Sequence, residues 1–228
     1  LIEDNSLDQV NKLRDMGFDM APLIQQLAHG KPNSKILELG GDTGSHTSEI
    51  LKSLTTEDGR VMYSAYTFSD SSSGMVSAAK EQFKAAPNMQ FSTFDISRDL
   101  SEQNFGEEQY DVIIATNVLH PLEMRSEALS NIRKLLRRNG RLLLTEFFSS
   151  SKWMNIILGV LPWWWVGERA GQSDEPYEDS KYWQIALSNA GLVVSATLAD
   201  SENDSLRRNN SMVAKSRSSS GYRRPAFV

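Results

Sequence analysis

Apolar segments of strand length alternate with single helical segments along most of this chain. Parallel strands need a crossover connection, and a helix in each crossover covers one face of the sheet. The alternation therefore predicts an α/β fold with a doubly wound, mostly parallel sheet of seven strands. The predicted strands are Lys35–Leu39, Arg60–Phe68, Met89–Phe94, Tyr110–Thr116, Arg141–Phe147, Leu192–Leu198 and, on a weaker pattern, Ser211–Lys215.

Helical patterns fill the connections between these strands. The predicted helices are Ser45–Leu54, Ser71–Ala86, Ser126–Arg138, which Asn139-Gly140 closes, and Lys181–Asn189. The sequence thus predicts one domain over residues 34–216, a helical N-terminal segment over residues 1–33, and a flexible basic tail or linker over residues 217–228.

One long connection, residues 149–180, follows the fifth strand and interrupts the alternation. A long connection at the carboxyl end of a strand usually covers a ligand crevice. This one carries Trp163, Trp164 and Trp165, so we predict a substrate lid. The alternative is that these tryptophans only pack on the domain, or form an interface with another part of the protein.

The composition limits the classes of function. A chain of 228 residues with 39% hydrophobic content can bury one sizeable core, and its net charge of −5 argues against nucleic acid as the main partner. The chain contains no apolar run of about 18 residues, so the sequence predicts no membrane-spanning helix. The lack of cysteine excludes thiolate metal sites and is compatible with a cytoplasmic location. The chain begins Leu-Ile-Glu-Asp, which suggests a domain cut from a larger protein or an incomplete gene.

A glycine-rich loop, within ILELGGDTGS at residues 36–45, follows the first strand. In a Rossmann-like fold such a loop points backbone N–H groups and a helix N-terminus at a nucleotide. The dinucleotide pattern G-x-G-x-x-G fails after Gly40, whereas the S-adenosylmethionine (SAM) pattern E-x-G-x-G-x-G is met except at Asp42. The loop therefore favours SAM. Its predicted cofactor-binding residues are Glu38, Gly40, Gly41, Asp42 and Gly44.

Two further acids support this interpretation. Asp70 ends the second strand, where a carboxylate can accept both ribose hydroxyls, and Asp95 ends the third strand, where it can meet the adenine amino group beside Ile96. Aspartate is also common at strand ends and helix caps, so each acid alone is a weak signal. Acids at three successive strand ends are a more specific signal than one acid alone. The sequence therefore favours a methyltransferase over a dehydrogenase.

A histidine and a glutamate follow the fourth and fifth strands. His120 leaves the fourth strand, and Glu146 lies near the end of the fifth. With the expected strand order 3-2-1-4-5 these strands are neighbours, and ligands bind where the order reverses. We predict that His120 is a base oriented by Glu146, with Asn117 among the cofactor-binding residues. The alternative is a capping histidine and a buried structural glutamate.

These segments resemble the C-methyltransferase domain of fungal highly reducing polyketide synthases, which belongs to the class I SAM-dependent methyltransferases. The likeness covers roughly residues 35–198 and is most specific at Asn117–His120 and at the tryptophan run. The matching pieces are Ile36–Gly40, Tyr66–Asp70, Phe94–Ile96, Tyr110–His120, Leu142–Glu146, Leu161–Gly167 and Trp183.

The resemblance implies C-methylation of the α-carbon of a β-ketoacyl thioester, with His120 and Glu146 as the catalytic pair, SAM as cofactor and no metal. It implies an acyl carrier protein-bound polyketide intermediate and the neighbouring synthase domains as partners. The chain departs from the family at Asp42 and Ser45, where glycines are usual, and at Trp163. Two alternatives stay open: a degenerate, non-methylating scaffold domain of a megasynthase, and a small-molecule O-methyltransferase.

Overall fold

One sheet of seven strands organises the part of the chain that the structure describes. The computed structural model describes residues 20–103, 105–107, 109–147, 178–199 and 209–216. The strands are β1 Lys35–Leu39, β2 Ala65–Asp70, β3 Met89–Thr93, β4 Tyr110–Thr116, β5 Leu136–Phe147, β6 Leu192–Ala199 and β7 Asn209–Ser216. Their order is β3-β2-β1-β4-β5-β7-β6. The first five strands run parallel, and β7 lies antiparallel to both β5 and β6. The predicted doubly wound sheet is therefore confirmed.

Five α-helices and one short 3₁₀ helix cover this sheet within the described residues. They are α1 Ala21–Gly30, α2 Ser45–Ser53, α3 Ser73–Gln82, the 3₁₀ helix Ser101–Gln103, α4 Arg125–Leu135 and α5 Ser180–Asn189. None of the described helices is both long enough and apolar enough to cross a bilayer.

The core lies on both faces of the central strands. Neighbouring residues of a strand point to opposite faces, so a strand covered on both sides is apolar throughout. In β4, Ile113 packs in the cluster that includes α4 and α5, and Ile114 packs in the cluster that includes α1 and α2. This double burial explains why the middle of β4, Val112–Ala115, is a continuous apolar run.

The end of α4 differs from the sequence prediction. We expected a helix to Arg138, but α4 ends at Leu135 and β5 begins at Leu136, whose backbone is extended. Leu136 pairs with Tyr110 of β4, and Asn139, expected to close the helix, lies inside β5 with a φ of 65°. Pairing with β4 thus overrides the local helical pattern.

Boundaries of other elements also differ from the prediction. The predicted strand Arg60–Phe68 begins only at Ala65, because Val61 makes an isolated antiparallel bridge to Thr55. The predicted helix Ser71–Ala86 spans only Ser73–Gln82. It begins at Ser73 because the Ser72 side chain caps its first turn. Residues 1–19, Trp163, Trp164 and Trp165 of the predicted lid, and the tail 217–228 lie outside the described residues.

Asp111 joins three elements at the edge of the sheet opposite the glycine-rich loop. Its carboxylate, with a side chain only 5% exposed, accepts hydrogen bonds from the Lys31 ammonium, from the Lys35 backbone N–H at 2.8 Å and from Arg137 Nη1 at 3.0 Å. Burial alone would raise the pKa of Asp111. The donors and the two cations outweigh burial and lower that pKa below its usual value.

We expect Asp111→Asn to lower the free energy of unfolding at pH 7 by about 1–2 kcal/mol, because two charge-assisted hydrogen bonds are lost. A lowered folded-state pKa means that this stabilisation is complete above the unfolded pKa of about 3.9 and disappears as pH falls through the folded value. Urea unfolding between pH 3 and 7 measures it, with the exposed Glu57→Gln as control. An equal difference between wild type and Asp111→Asn at pH 3 and pH 7 would contradict this account.

Candidate active site

A cavity of about 420 Å³ lies at the carboxyl edge of the central strands. This volume falls in the usual range for small-molecule sites, roughly 300–1,000 Å³. Nine of the predicted site residues line it: Glu38, Gly40, Gly41, Asp42, Asp70, Asp95, Ile96, Asn117 and His120. Of the other two non-lid predictions, Gly44 shapes the loop behind the wall, and Glu146 contacts His120. The structure thus brings these residues together at the carboxyl ends of five strands, β1 to β5.

The loop after β1 takes the left-handed backbone conformation at three alternate residues, Gly40, Asp42 and Gly44, with φ values of 62°, 49° and 78°. A Cβ added at Gly40 would lie 2.4 Å from Val118 Cγ2, and one at Gly44 would lie 2.7 Å from the Phe83 ring, so both positions require glycine. Aspartate tolerates this conformation better than most residues. The loop therefore keeps its turn with a carboxylate at position 42, at a cost of about 1 kcal/mol relative to glycine.

Asp70 fastens this loop to the end of β2. Its Oδ1 accepts the Ser72 N–H at 2.8 Å and its Oδ2 accepts the Asp42 N–H at 3.0 Å. Burial raises the pKa of Asp70 and the nearby Asp42 charge adds to the rise, while the two N–H donors oppose it. Each oxygen retains a lone pair that can accept a hydroxyl, as expected of a ribose contact.

Glu38 makes hydrogen bonds that connect elements of the fold beneath the glycine-rich loop. Its side chain is buried, and Oε2 accepts hydrogen bonds from Thr47 Oγ1 at 2.7 Å and from the Tyr66 hydroxyl at 2.8 Å. Burial raises the pKa of Glu38, and these two hydroxyl donors oppose the rise. Glu38 thus joins β1 to α2 and β2 beneath the loop. Sequence reasoning missed Thr47 and Tyr66, although both lie in the segments that follow the loop.

The turn after β3 is fixed by two amides that sequence reasoning also missed. Gln103 binds the backbone of Asp95 twice: its Oε1 accepts the Asp95 N–H and its Nε2 donates to the Asp95 carbonyl, both at 2.8 Å. Asn131 of α4 donates to the Ile96 carbonyl at 2.9 Å. The Asp95 carboxylate itself accepts the N–H and hydroxyl of Ser97. No periodic pattern marks an amide that reaches back to a backbone, so no sequence signal could have found these contacts.

His120 and Glu146 form a buried pair. His120 Nδ1 lies 2.8 Å from Glu146 Oε2, and each side chain is 2% exposed. The second carboxylate oxygen, Oε1, accepts the Leu119 N–H at 2.7 Å, and the His120 ring meets the edge of Phe147 with centroids 5.2 Å apart. A carboxylate at Nδ1 favours the tautomer with the proton there, so Nε2 carries the lone pair. This arrangement can accept a proton from a group in the cavity.

The residues at the cavity fit SAM. Gly40 lines the cavity with backbone atoms alone, and acids line it at the predicted ribose and adenine positions. Thr116 Oγ1 is buried at the wall and has no hydrogen-bond partner among the described residues, so a ligand could satisfy it. Three or more His, Cys, Asp or Glu placed to hold a metal do not occur within the described ranges.

The sheet order, the left-handed glycine-rich loop after β1 and the acids that follow β2 and β3 define a class I SAM-dependent methyltransferase fold.

Comparison with known proteins narrows this class. The family model for a methyltransferase domain matches residues 37–142. The highly reducing polyketide synthase g433 of a Fusarium species is 42% identical over 192 residues, which cover 84% of this chain and 8% of the synthase. The crystal structure of the trans-methyltransferase CalH in complex with SAH superposes with a TM-score of 0.80 at 36% identity, covering 86% of this chain and 55% of that one. The CurJ carbon methyltransferase gives a TM-score of 0.69 at 31% identity, covering 82% and 50%.

The chain is similar in sequence to a highly reducing polyketide synthase and, in sequence and fold, to carbon methyltransferases of this kind. It spans only part of each of these relatives: about half of CalH and CurJ, and 8% of the synthase. The resemblance to synthase C-methyltransferase domains is therefore confirmed.

We expect Glu38→Gln to be less destabilising at pH 7.5 than at pH 5. Since the folded-state pKa of Glu38 is raised, the acid favours folding below its unfolded pKa of about 4.3, and this contribution is lost as pH rises through the folded value. The neutral amide does not titrate. Chemical unfolding of both proteins at the two pH values measures the effect.

The matched control is Tyr66→Phe, which removes one hydroxyl donor from the ionised carboxylate and should cost about 1–2 kcal/mol at pH 7.5. Equal destabilisation by Glu38→Gln at pH 5 and pH 7.5 would mean that burial does not raise the pKa of Glu38 in the folded protein.

Proposed function

We propose that this chain methylates the α-carbon of a β-ketoacyl thioester carried by an acyl carrier protein, with SAM as methyl donor. The observation that carries the proposal is the buried His120–Glu146 pair, joined at 2.8 Å at the wall of a cavity that fits SAM. The family relationship to polyketide synthases and the carbon methyltransferase CurJ support the substrate class.

The cofactor would be held by the loop after β1 and by the acids beyond it. Gly40 and Gly41 give the backbone access, Asp70 accepts the ribose hydroxyls, and Asp95 with Ile96 contacts the adenine. SAM supplies an electrophilic methyl group. The relative CalH was crystallised with SAH, which is the product of methyl transfer from SAM, and this supports the same ligand here.

His120 would act as the base. The α-proton of a β-ketoacyl thioester is acidified by two carbonyl groups, so one imidazole can remove it. The proton goes to Nε2, and Glu146 at Nδ1 stabilises the imidazolium that forms. The electron pair left on the α-carbon would form the new carbon–methyl bond while the methyl–sulfur bond of SAM breaks, and its electrons would leave with the sulfur of SAH. Burial of both side chains keeps water away from the pair and strengthens its electrostatic coupling.

The partners would then be an acyl carrier protein and neighbouring synthase domains. The relative g433 is a highly reducing polyketide synthase of which this chain covers 8%, and this supports a place for the chain among other synthase domains.

A scaffold role without methyl transfer is the second candidate, and Asp42 favours it. Asp42 lines the cavity, where its negative charge would repel the carboxylate of the methionine moiety. Against this role, the left-handed turn at Asp42 persists and the dyad is complete.

Calorimetry with SAH separates the two candidates. We expect the wild-type protein to bind SAH, and Asp42→Gly to bind it more tightly, because the substitution removes a negative charge from the wall. Asp99→Asn, at an exposed acid that does not line the cavity, is the charge control. If the wild type shows no binding at millimolar SAH while Asp42→Gly binds, the chain is a scaffold domain that lost its cofactor.

The dyad is tested by exchange of deuterium at the α-carbon of a β-ketoacyl thioester, a reaction that needs the base but no methyl transfer. A positioned base contributes about 10²–10⁴-fold, so His120→Ala should slow exchange by that order and leave SAH affinity nearly unchanged. Glu146→Gln should slow it less, because the amide keeps the shape but supports the imidazolium weakly. The rate should fall in acid, where a protonated imidazole cannot accept a proton. Exchange at the wild-type rate in His120→Ala would place the base elsewhere.

A further inference from the structure

We propose that Arg125 is a positioning residue for His120, and that Glu178, just before α5, holds Arg125 in place. Arg125 is the first residue of α4 and follows His120 by five positions. Its Nη2 donates to the His120 carbonyl oxygen at 2.6 Å, and its side chain is 5% exposed. This role rests on the proposed function of His120 as the base.

Within the described part of the chain, three groups contact the Arg125 guanidinium. Nη1 donates to Glu178 Oε1 at 2.9 Å, Nη2 donates to the His120 carbonyl, and the Tyr182 ring of α5 lies 5.8 Å from the guanidinium carbon. A buried cation is tolerated only where a counter-ion and hydrogen-bond acceptors compensate its lost hydration. Glu178 is that counter-ion, and its side chain is 20% exposed.

The contacts of Arg125 complete the fixation of His120. Glu146 of β5 holds the imidazole at Nδ1 and also accepts the Leu119 N–H, on the amino side of His120. Arg125 of α4 holds the carbonyl on the other side. Because the His120 ring and the backbone on both sides of it are held by hydrogen bonds, the imidazole keeps one orientation, and so does the lone pair on Nε2. Misplacement of a reacting group by about 1 Å can cost 10²-fold in rate, so loss of one anchor has a measurable consequence.

Arg125 also changes the charge around His120. Among the described residues, the charged groups in contact with His120 or with its anchors include Glu146, Arg125 and Glu178, from β5, α4 and the segment just before α5. A nearby cation disfavours the imidazolium, and Glu178 partly neutralises that cation. Removal of the Arg125 charge should therefore favour protonation of His120, and removal of the Glu178 charge should disfavour it.

The experiment measures α-deuterium exchange of a β-ketoacyl thioester against pH in the full chain, per folded protein. Arg125→Gln should slow exchange about 10- to 100-fold and move the acidic limb of the profile to higher pH. Arg125→Lys should recover part of the rate, because it keeps the charge but cannot serve two acceptors with one planar fork. Glu178→Gln should slow exchange less and move the limb to lower pH. SAH affinity should change less than twofold in all three variants.

The control is Lys134→Gln, which removes a positive charge from an exposed position of the same helix and should leave rate and profile unchanged. The proposal is overturned if Arg125→Gln is folded and keeps both the wild-type rate and the wild-type acidic limb. It is also overturned if the loss of rate only follows the loss of folded protein, since Arg125 would then serve the fold alone.

Glu178→Gln provides a second test should Arg125→Gln fail to fold, because Glu178 is partly exposed and its loss leaves the His120 contact in place. An unmoved acidic limb in that variant counts against the proposal. His120→Ala separates this proposal from the proposed function. If His120→Ala keeps the wild-type exchange rate, the assignment of the base is wrong and the positioning role falls with it. If His120→Ala is inactive while Arg125→Gln matches the wild type, only the positioning role is wrong.

Discussion

The alignment of β4 between β1 and β5 determines where every group of the candidate active site lies. Leu39 pairs with Ala115, and Thr116 pairs with Thr145, so three strands end at the same edge. Asn117 then donates its N–H to the Thr145 carbonyl at 2.7 Å, which starts the loop that carries His120 beside Glu146. A slip of one residue between β4 and β5 would turn Glu146 to the opposite face of the sheet. The dyad therefore depends on backbone pairing before it depends on either side chain.

Local sequence patterns predicted the parts of the fold that local forces decide. The bounds of β1 and β4 agree with prediction, because both strands are apolar runs that polar or turn residues terminate. The end of α4 does not agree with the prediction, because Leu136 is extended and pairs with Tyr110 of β4, which lies 26 residues earlier in the chain. That partner is fixed by the assembled sheet, which a window of neighbouring residues does not contain.

The candidate site divides in the same way. The loop glycines, the acids at the strand ends and the His–Glu pair follow from chain order, because parallel strands bring their carboxyl ends to one edge. Gln103, Asn131 and Arg125 were not predicted, since each acts by hydrogen bonds from its side chain to a distant or neighbouring backbone carbonyl or N–H. The sequence separation between the partners of such hydrogen bonds follows no regular pattern. They become visible only when the loops that they hold are in place.

The acids at the candidate active site also hold its loops in place through hydrogen bonds within the protein. Asp70 accepts two backbone N–H groups and Glu146 accepts one, while Asp95 accepts the N–H of Ser97. A buried carboxylate is costly unless such donors compensate it, so the same bonds that tolerate the charge also fix the loops. Removal of one of these carboxylates therefore releases a loop and deletes a ligand contact at once. Asp42 differs, because its backbone N–H, and not its carboxylate, makes the bond to Asp70. A change of its side chain to glycine keeps the backbone N–H that Asp70 accepts, suits the left-handed turn and removes one negative charge from the loop.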